Sequence, residues 1–159
     1  MKGYLNNQEE TKASLRKLAD GNVWLYTGDL GHMDEDGTVF FDGRIKRMII
    51  TNGNNVFPGN IENVIDSIDE VAYSCAIGVK DERRGQRIKA YVVLRDGVER
   101  NDVIKDKIMD VLKEKLDLFE IPKEIEFKEE LPRTLIGKVN YRLLEKEAGN
   151  QATDMELEN

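Results

Sequence analysis

Apolar residues recur along the chain with two periods, and each period predicts elements. Ile61, Val64, Ile65 and Ile68 fall at i, i+3, i+4 and i+7 on one helical face, with Pro58 suited to the first turn. From Asp102 to Leu116 the apolar set Ile104, Ile108, Val111 and Leu112 marks a second amphipathic helix, with Asn101 as its cap. Val71–Val79 and Ile88–Leu94 read as strands. The second alternates Ile88, Ala90, Val92 and Leu94 on one face, and the charged loop Lys80–Gly85 joins the two as an antiparallel pair.

Weaker patterns flank these. Gln8–Asp20 reads as a helix with Leu15 and Leu18 three apart, Asn7 as cap and Gly21 as stop. Trp24–Tyr26 and Thr38–Phe41 read as the arms of a hairpin around the turn Asp34–Gly37, and Arg44–Ile50 as a further strand closed by Asn52-Gly53-Asn54. Beyond Pro122, Ile125 and Phe127 suggest a short strand. The loop Leu131–Lys138 then leads into a short helix over 140–148, and the acidic tail 149–159 is expected to be disordered. Helices and strands intermix without a regular βαβ rhythm, which makes a compact α+β domain the expected class.

At 159 residues the chain fits one ordinary domain plus flanking material, and 40% hydrophobic with 35% charged residues describes a folded globular protein. A net charge of -7 opposes broad binding to the nucleic-acid backbone. Cys75 has no second cysteine with which to bond, and one His with one Cys cannot build a structural zinc site, so no metal centre is expected. The reduced thiol, the absence of a signal-like run at Met1–Glu10 and the lack of a transmembrane segment give a cytoplasmic expectation.

Candidate chemistry lies in three segments. The first is Tyr26-Thr-Gly-Asp29 with Asp34–Gly37 after it. The second is Gly43-Arg-Ile-Lys-Arg-Met-Ile-Ile50, running through Thr51–Val56 to Pro58 and Ile61-Glu62. The third is Leu131-Pro-Arg-Thr134 with Gly137-Lys138. The last pair is no Walker phosphate loop, because Pro132 sits where the first glycine belongs and Val139 follows the lysine. His32 beside a turn lacks a second ligand, Cys75 reads as a small core side chain, and Asp34, Asp36 and Gly37 lack the remaining ligands of a calcium loop. Arg83, Arg84 and Arg87 read first as a solvated loop, with docking of a ligand's phosphate groups as the other option.

In order and spacing the three segments resemble the adenylate-forming superfamily, in particular the C-terminal portion of acyl-CoA synthetases (AMP-dependent synthetases and ligases). The resemblance implies a small C-terminal lid domain of mixed short sheets with flanking helices over 45–148. It also implies that 1–44 is the tail end of a large N-terminal AMP-binding domain, and that the chain alone does not catalyse. By the same resemblance Lys138 is the adenylation lysine that reaches the acyl carboxylate and the α-phosphate. Asp29 binds the nucleotide ribose with Arg44 assisting, Lys46 is the hinge about which the lid turns, and Gly53 lies in the loop that shapes the CoA tunnel. ATP or AMP, Mg2+, CoA and a carboxylic acid are implied as ligands of the whole enzyme, none tightly held by this chain. Asn60 and Tyr141 depart from the pattern, standing where many relatives carry glutamate and arginine. Two alternatives remain open: an adenylation domain that loads a carrier protein, and a non-catalytic lid-like interaction module.

Overall fold

In the computed structural model, residues 1–157 are described, with side chains described through Gly149. The chain divides into two compact units, Met1–Lys46 and Arg47–Asn159.

The first unit holds helix α1 (Gln8–Ser14), strands β1 (Leu15–Lys17) and β2 (Val23–Leu25), then β3 (Asp29–Met33) and β4 (Val39–Arg44). Asn7 caps α1, its side chain accepting from the Glu10 N–H. The helix does not run to Asp20. Leu15–Lys17 pairs antiparallel with Val23–Leu25 instead, across a turn in which Gly21 takes φ +82° and the Trp24 indole N–H donates to Asp20 at 3.0 Å. Cross-strand pairing of Leu15 with Leu25 overrides a thin helical pattern. The expected hairpin changes partners for the same reason: Trp24 lies opposite Arg16, and it is Asp29–Met33 that pairs with Val39–Arg44 around the Asp34–Gly37 turn. The run Arg44–Ile50 is not one strand, since Ile45–Arg47 forms a single 3-10 turn.

The second unit is α+β. Strands β5 (Ile49–Thr51) and β6 (Asn54–Val56) form a tight hairpin, followed by α2 (Pro58–Asp66) with Pro58 in its first turn. Strands β7 (Val71–Asp81) and β8 (Gly85–Leu94) pair antiparallel, helix α3 (Asp102–Lys115) crosses over, and β9 (Glu124–Phe127) returns parallel to β8. The result is one five-stranded mixed sheet, ordered β6-β5-β8-β7 with β9 beside β8. Helix α4 (Tyr141–Leu157) closes the unit. It continues past the expected end near Ala148, so the stretch expected to be a disordered tail is helical through Leu157; Glu158 and Asn159 lie outside the described residues.

Both faces of the β7–β8 pair are covered. Ile88, Ala90 and Val92 pack with Ile61, Ile65, Ile108 and Leu112 beneath α2 and α3. On the opposite face Cys75, Ile77, Tyr91 and Val93 pack with Leu131 and with Leu144 and Ala148 of α4. The expected faces of α2 and α3 are the ones that point inward.

Arg47 opens this unit. Its guanidinium forms a two-pronged pair with Glu62 of α2, donates to the Ala76 carbonyl of β7 at 3.2 Å, and lies 5.1 Å over the Tyr141 ring of α4. Glu62 also accepts from the Ala76 N–H at 2.9 Å. The two side chains are 24% and 16% exposed, so removing one partner strands a largely desolvated charge. We predict that Glu62→Gln lowers unfolding stability by about 3 kcal/mol in urea titrations. Combining Arg47→Met with Glu62→Leu should recover part of that loss, and a Glu62→Gln variant as stable as the parent would contradict this account.

Candidate functional site

In the first unit, β3 and β4 pair from Met33 opposite Val39 to Asp29 opposite Arg44, with a bulge between Leu30 and Gly31. Glycine is required at Gly31 because a Cβ there would run into the Phe40 carbonyl. The register sets Asp29 against Arg44, whose Nε donates to Asp29 Oδ1 at 3.0 Å. The turn ahead of Asp29 is fixed on both sides: the Asp29 N–H donates to Thr27 Oγ1 at 3.1 Å, and the Ile45 N–H donates to the Gly28 carbonyl at 2.9 Å. Gly28 takes φ +80° with open space around it, so its role is conformational. The carboxylate borders an open groove of about 710 Å³ lined among others by Trp24, Tyr26, Thr27 and Lys46. A carboxylate offers roughly four acceptor positions; Arg44 occupies one, and the others suit a pair of vicinal hydroxyls.

Lys46 is exposed in the 3-10 turn and is the last residue of the first unit. Gly53 sits with Asn52 at the tip of the β5–β6 hairpin, at φ +78° and +50°, the two-residue turn that matches strand twist. No atom lies within 4 Å of a Cβ built on Gly53, so the turn conformation, not a close approach inside this chain, explains the glycine.

Lys138 is carried by a small hairpin. The Thr134 N–H donates to the Lys138 carbonyl at 2.7 Å, the Gly137 N–H to the Thr134 carbonyl at 2.9 Å, and the Asn140 N–H to the Pro132 carbonyl at 2.7 Å. Gly137 makes the turn at φ +79°, and Leu135 and Ile136 at the tip are exposed. The Lys138 side chain is exposed and has no hydrogen bond or ion pair among the described residues. An unpaired ammonium beside a turn is ready to meet an anion without first breaking a bond. Asp29 and Arg44 are therefore brought together, whereas Lys46, Gly53 and Lys138 stand on separate segments.

Two charged residues inside the second unit escape the periodicity analysis. Lys89 is 4% exposed within β8 and bonds Glu124 at 2.6 Å and Glu126 at 2.7 Å, both on β9. Burial by itself pushes the Lys89 ammonium down, but the two carboxylates reverse this and its pKa lies above the ordinary value. Arg47 is the other. The acidic alternation Glu124-Ile125-Glu126 beside a lysine in an apolar strand is the signal that could have found the first; nothing local signals the second. His32 is a surface residue, bonded to Asp42 at 2.9 Å and stacked on Phe40. In the arginine loop, Asp81 Oδ1 accepts from the Arg83 and Arg84 N–H groups at 3.0 Å each, and Arg87 lies 3.8 Å from Glu124.

Residues 60–138 match the family model described as AMP-binding enzyme C-terminal domain. The chain is 40% identical over 151 residues to a long-chain-fatty-acid–CoA ligase of Bacillus subtilis (strain 168), covering 94% of this chain and 26% of that protein. Among solved structures, ATP-bound MatB from Rhodopseudomonas palustris aligns at 36% identity and TM-score 0.76, over 91% of this chain and 27% of the other. The anthranilate CoA ligase AuaEII in complex with anthranoyl-AMP aligns at 28% identity and TM-score 0.83, over 95% of this chain and 28% of the other. The chain thus spans about a quarter of the length of the relatives it matches.

Two outcomes follow from the local geometry. Burial, reinforced by Glu62 and opposed by Arg47, pushes the Cys75 thiol from an ordinary 9.0 up to about 12. A pKa raised on folding stabilises the fold fully below the unfolded value and loses that contribution as pH rises from about 9.0 to about 12. Thiol reagents at pH 8 should accordingly label Cys75 only at the rate of unfolding; immediate labelling of the folded chain would refute this. Gly53→Ala should cost about 1–2 kcal/mol through the backbone alone, read as a shift in the urea midpoint.

Proposed function

We propose, from the premise that the chain belongs through residues 60–138 to the AMP-binding enzyme C-terminal domain family, that it serves as the C-terminal portion of an ATP-dependent acyl-CoA synthetase. In that reaction a carboxylate oxygen attacks the α-phosphorus of ATP, pyrophosphate leaves, and the thiol of CoA then attacks the acyl carbon and expels AMP. Mg2+ enters with ATP as part of the substrate. Among the described residues no group of three or more His, Cys, Asp or Glu side chains converges to hold a metal ion.

The observation that carries the reading is Lys138: an exposed, unpaired ammonium on a closed hairpin, at the last residue of the family match. A compact cation on a flexible stem can meet the acyl carboxylate and the α-phosphate together, and it stabilises the charge that develops between them. Asp29 accepts from the ribose hydroxyls, and Arg44 holds the carboxylate in orientation through the bond at 3.0 Å. Lys46, at the boundary of the two units, is the hinge residue, since a hinge needs only a few residues able to absorb φ/ψ change. Gly53 lies in the loop assigned to the CoA tunnel.

The first unit supports a partner domain. None of its apolar side chains is buried, and Trp24, Leu25, Phe40 and Phe41 are all exposed on two-stranded sheets. Two-stranded sheets are marginal alone and need a covering body. The relatives are larger proteins, and a large N-terminal AMP-binding domain is the body proposed here. No helix of the described residues is long and apolar enough to cross a membrane.

The test is ATP–pyrophosphate exchange with a panel of carboxylic acids. The chain alone should give none; the chain joined to a large AMP-binding domain should exchange, and Lys138→Ala should lower the rate roughly 100- to 1,000-fold. Exchange by the isolated chain, or a Lys138→Ala variant of undiminished rate, would overturn the assignment. Offering CoA and a holo-carrier protein to the adenylate distinguishes a CoA ligase from a carrier-loading domain.

A further inference from the structure

Lys138 does not stand on backbone bonds alone. Arg133, five residues earlier on the same hairpin, reaches across the turn and donates from its guanidinium to the Gly137 carbonyl at 2.8 Å. The carbonyl of Gly137 and the N–H of Lys138 belong to one planar peptide, so fixing that oxygen fixes the direction in which Lys138 leaves the turn. This is the weak point of the hairpin: Gly137 is its glycine at φ +79°, and the tip residues Leu135 and Ile136 are exposed.

The other side of the same guanidinium lies 5.0 Å over the Tyr73 ring of β7. Tyr73 is anchored in turn. Its ring packs against the core beneath α4, and its hydroxyl accepts from the Leu131 N–H at 3.3 Å, with Leu131 itself buried. Arg133 pairs with no carboxylate among the described residues; its planar face is given to Tyr73 and one of its donors to the turn. Stacking and donation together need a flat, forked cation, which lysine does not provide.

We propose that Arg133 is a positioning residue for Lys138: clamped on Tyr73, it holds the Gly137–Lys138 peptide and ties the lysine's hairpin to the central sheet. This rests on the adenylation role of Lys138 for its catalytic consequence, while the clamp can be tested without it. In the full chain as it stands, hydrogen exchange at the Thr134, Gly137 and Asn140 amides reports the hairpin, and exchange along β7 and β8 reports the core. Arg133→Gln should speed the hairpin amides about tenfold and leave β8 unchanged, Tyr73→Leu should speed the same amides at least as much, and Arg133→Lys and Tyr73→Phe should be intermediate. Unchanged hairpin exchange in Arg133→Gln, or equal acceleration of the core, would overturn the clamp.

Joined to an AMP-binding domain, Arg133→Gln should lower kcat of adenylation about 10- to 100-fold with KM for ATP little altered. Placed in a Lys138→Ala background it should add nothing, because it acts through the lysine. A full additional loss there would refute the proposed route. Should Lys138→Ala itself leave adenylation intact, the catalytic reading of the lysine fails, and hairpin exchange still decides whether Arg133 clamps the turn.

Discussion

Strand β8 sets the terms for the second unit. It pairs with β7 from Gly85 to Leu94 on one edge and with β5 and β9 on the other, so its backbone groups along the paired stretches find partners inside the sheet. Both of its faces are buried: Ile88, Ala90 and Val92 under α2 and α3, Tyr91 and Val93 under α4. A strand saturated in both directions leaves little freedom in register, because a one-residue slip would move Lys89 and Tyr91 onto the face that Ile88 and Ala90 now fill. The crossover through α3 to β9 follows from the same demand, as a parallel neighbour can be reached only by a long connection.

Charge enters this interior only with its partner. Lys89 is held by two carboxylates of the parallel neighbour β9, and its ammonium lies 5.0 Å from the Tyr91 ring. Arg47 is met by Glu62, the Ala76 carbonyl and the Tyr141 ring. Such pairs add little net stability over well-packed apolar residues, yet they are costly to break singly and so narrow the arrangements available. Arg47 thereby fastens the segment just after Lys46 to α2, β7 and α4 together.

How far the sequence spoke depended on how local the cause was. The faces of α2 and α3 and the pairing of β7 with β8 follow from periodicity, because each buries a stripe that repeats at its own period. The stretch 8–20 misleads, since Leu15 serves a strand partner beyond Gly21, and no window centred on the helix contains that partner's influence. Asp29 and Arg44 were legible as a pair only through family resemblance; their contact comes from the hairpin register and the bulge at Gly31. Tyr141, noted as a departure from the family pattern, has a structural account in the ring it offers to Arg47. Asn60 is exposed, and nothing in the structure explains it. The clamp of Arg133 on Tyr73 joins residues on distant segments, and spacing carries no sign of it.

The first unit has no buried apolar side chain of its own. Its order then becomes a matter of mass action as much as of sequence: a body that covered Trp24 and Phe41 would contribute a binding free energy that becomes folding free energy. A cover over that half would couple its melting to occupancy of the exposed apolar side chains, whereas the second unit buries an apolar core of its own. One chain would then carry two thermodynamic regimes, with Lys46 at the boundary of the two units.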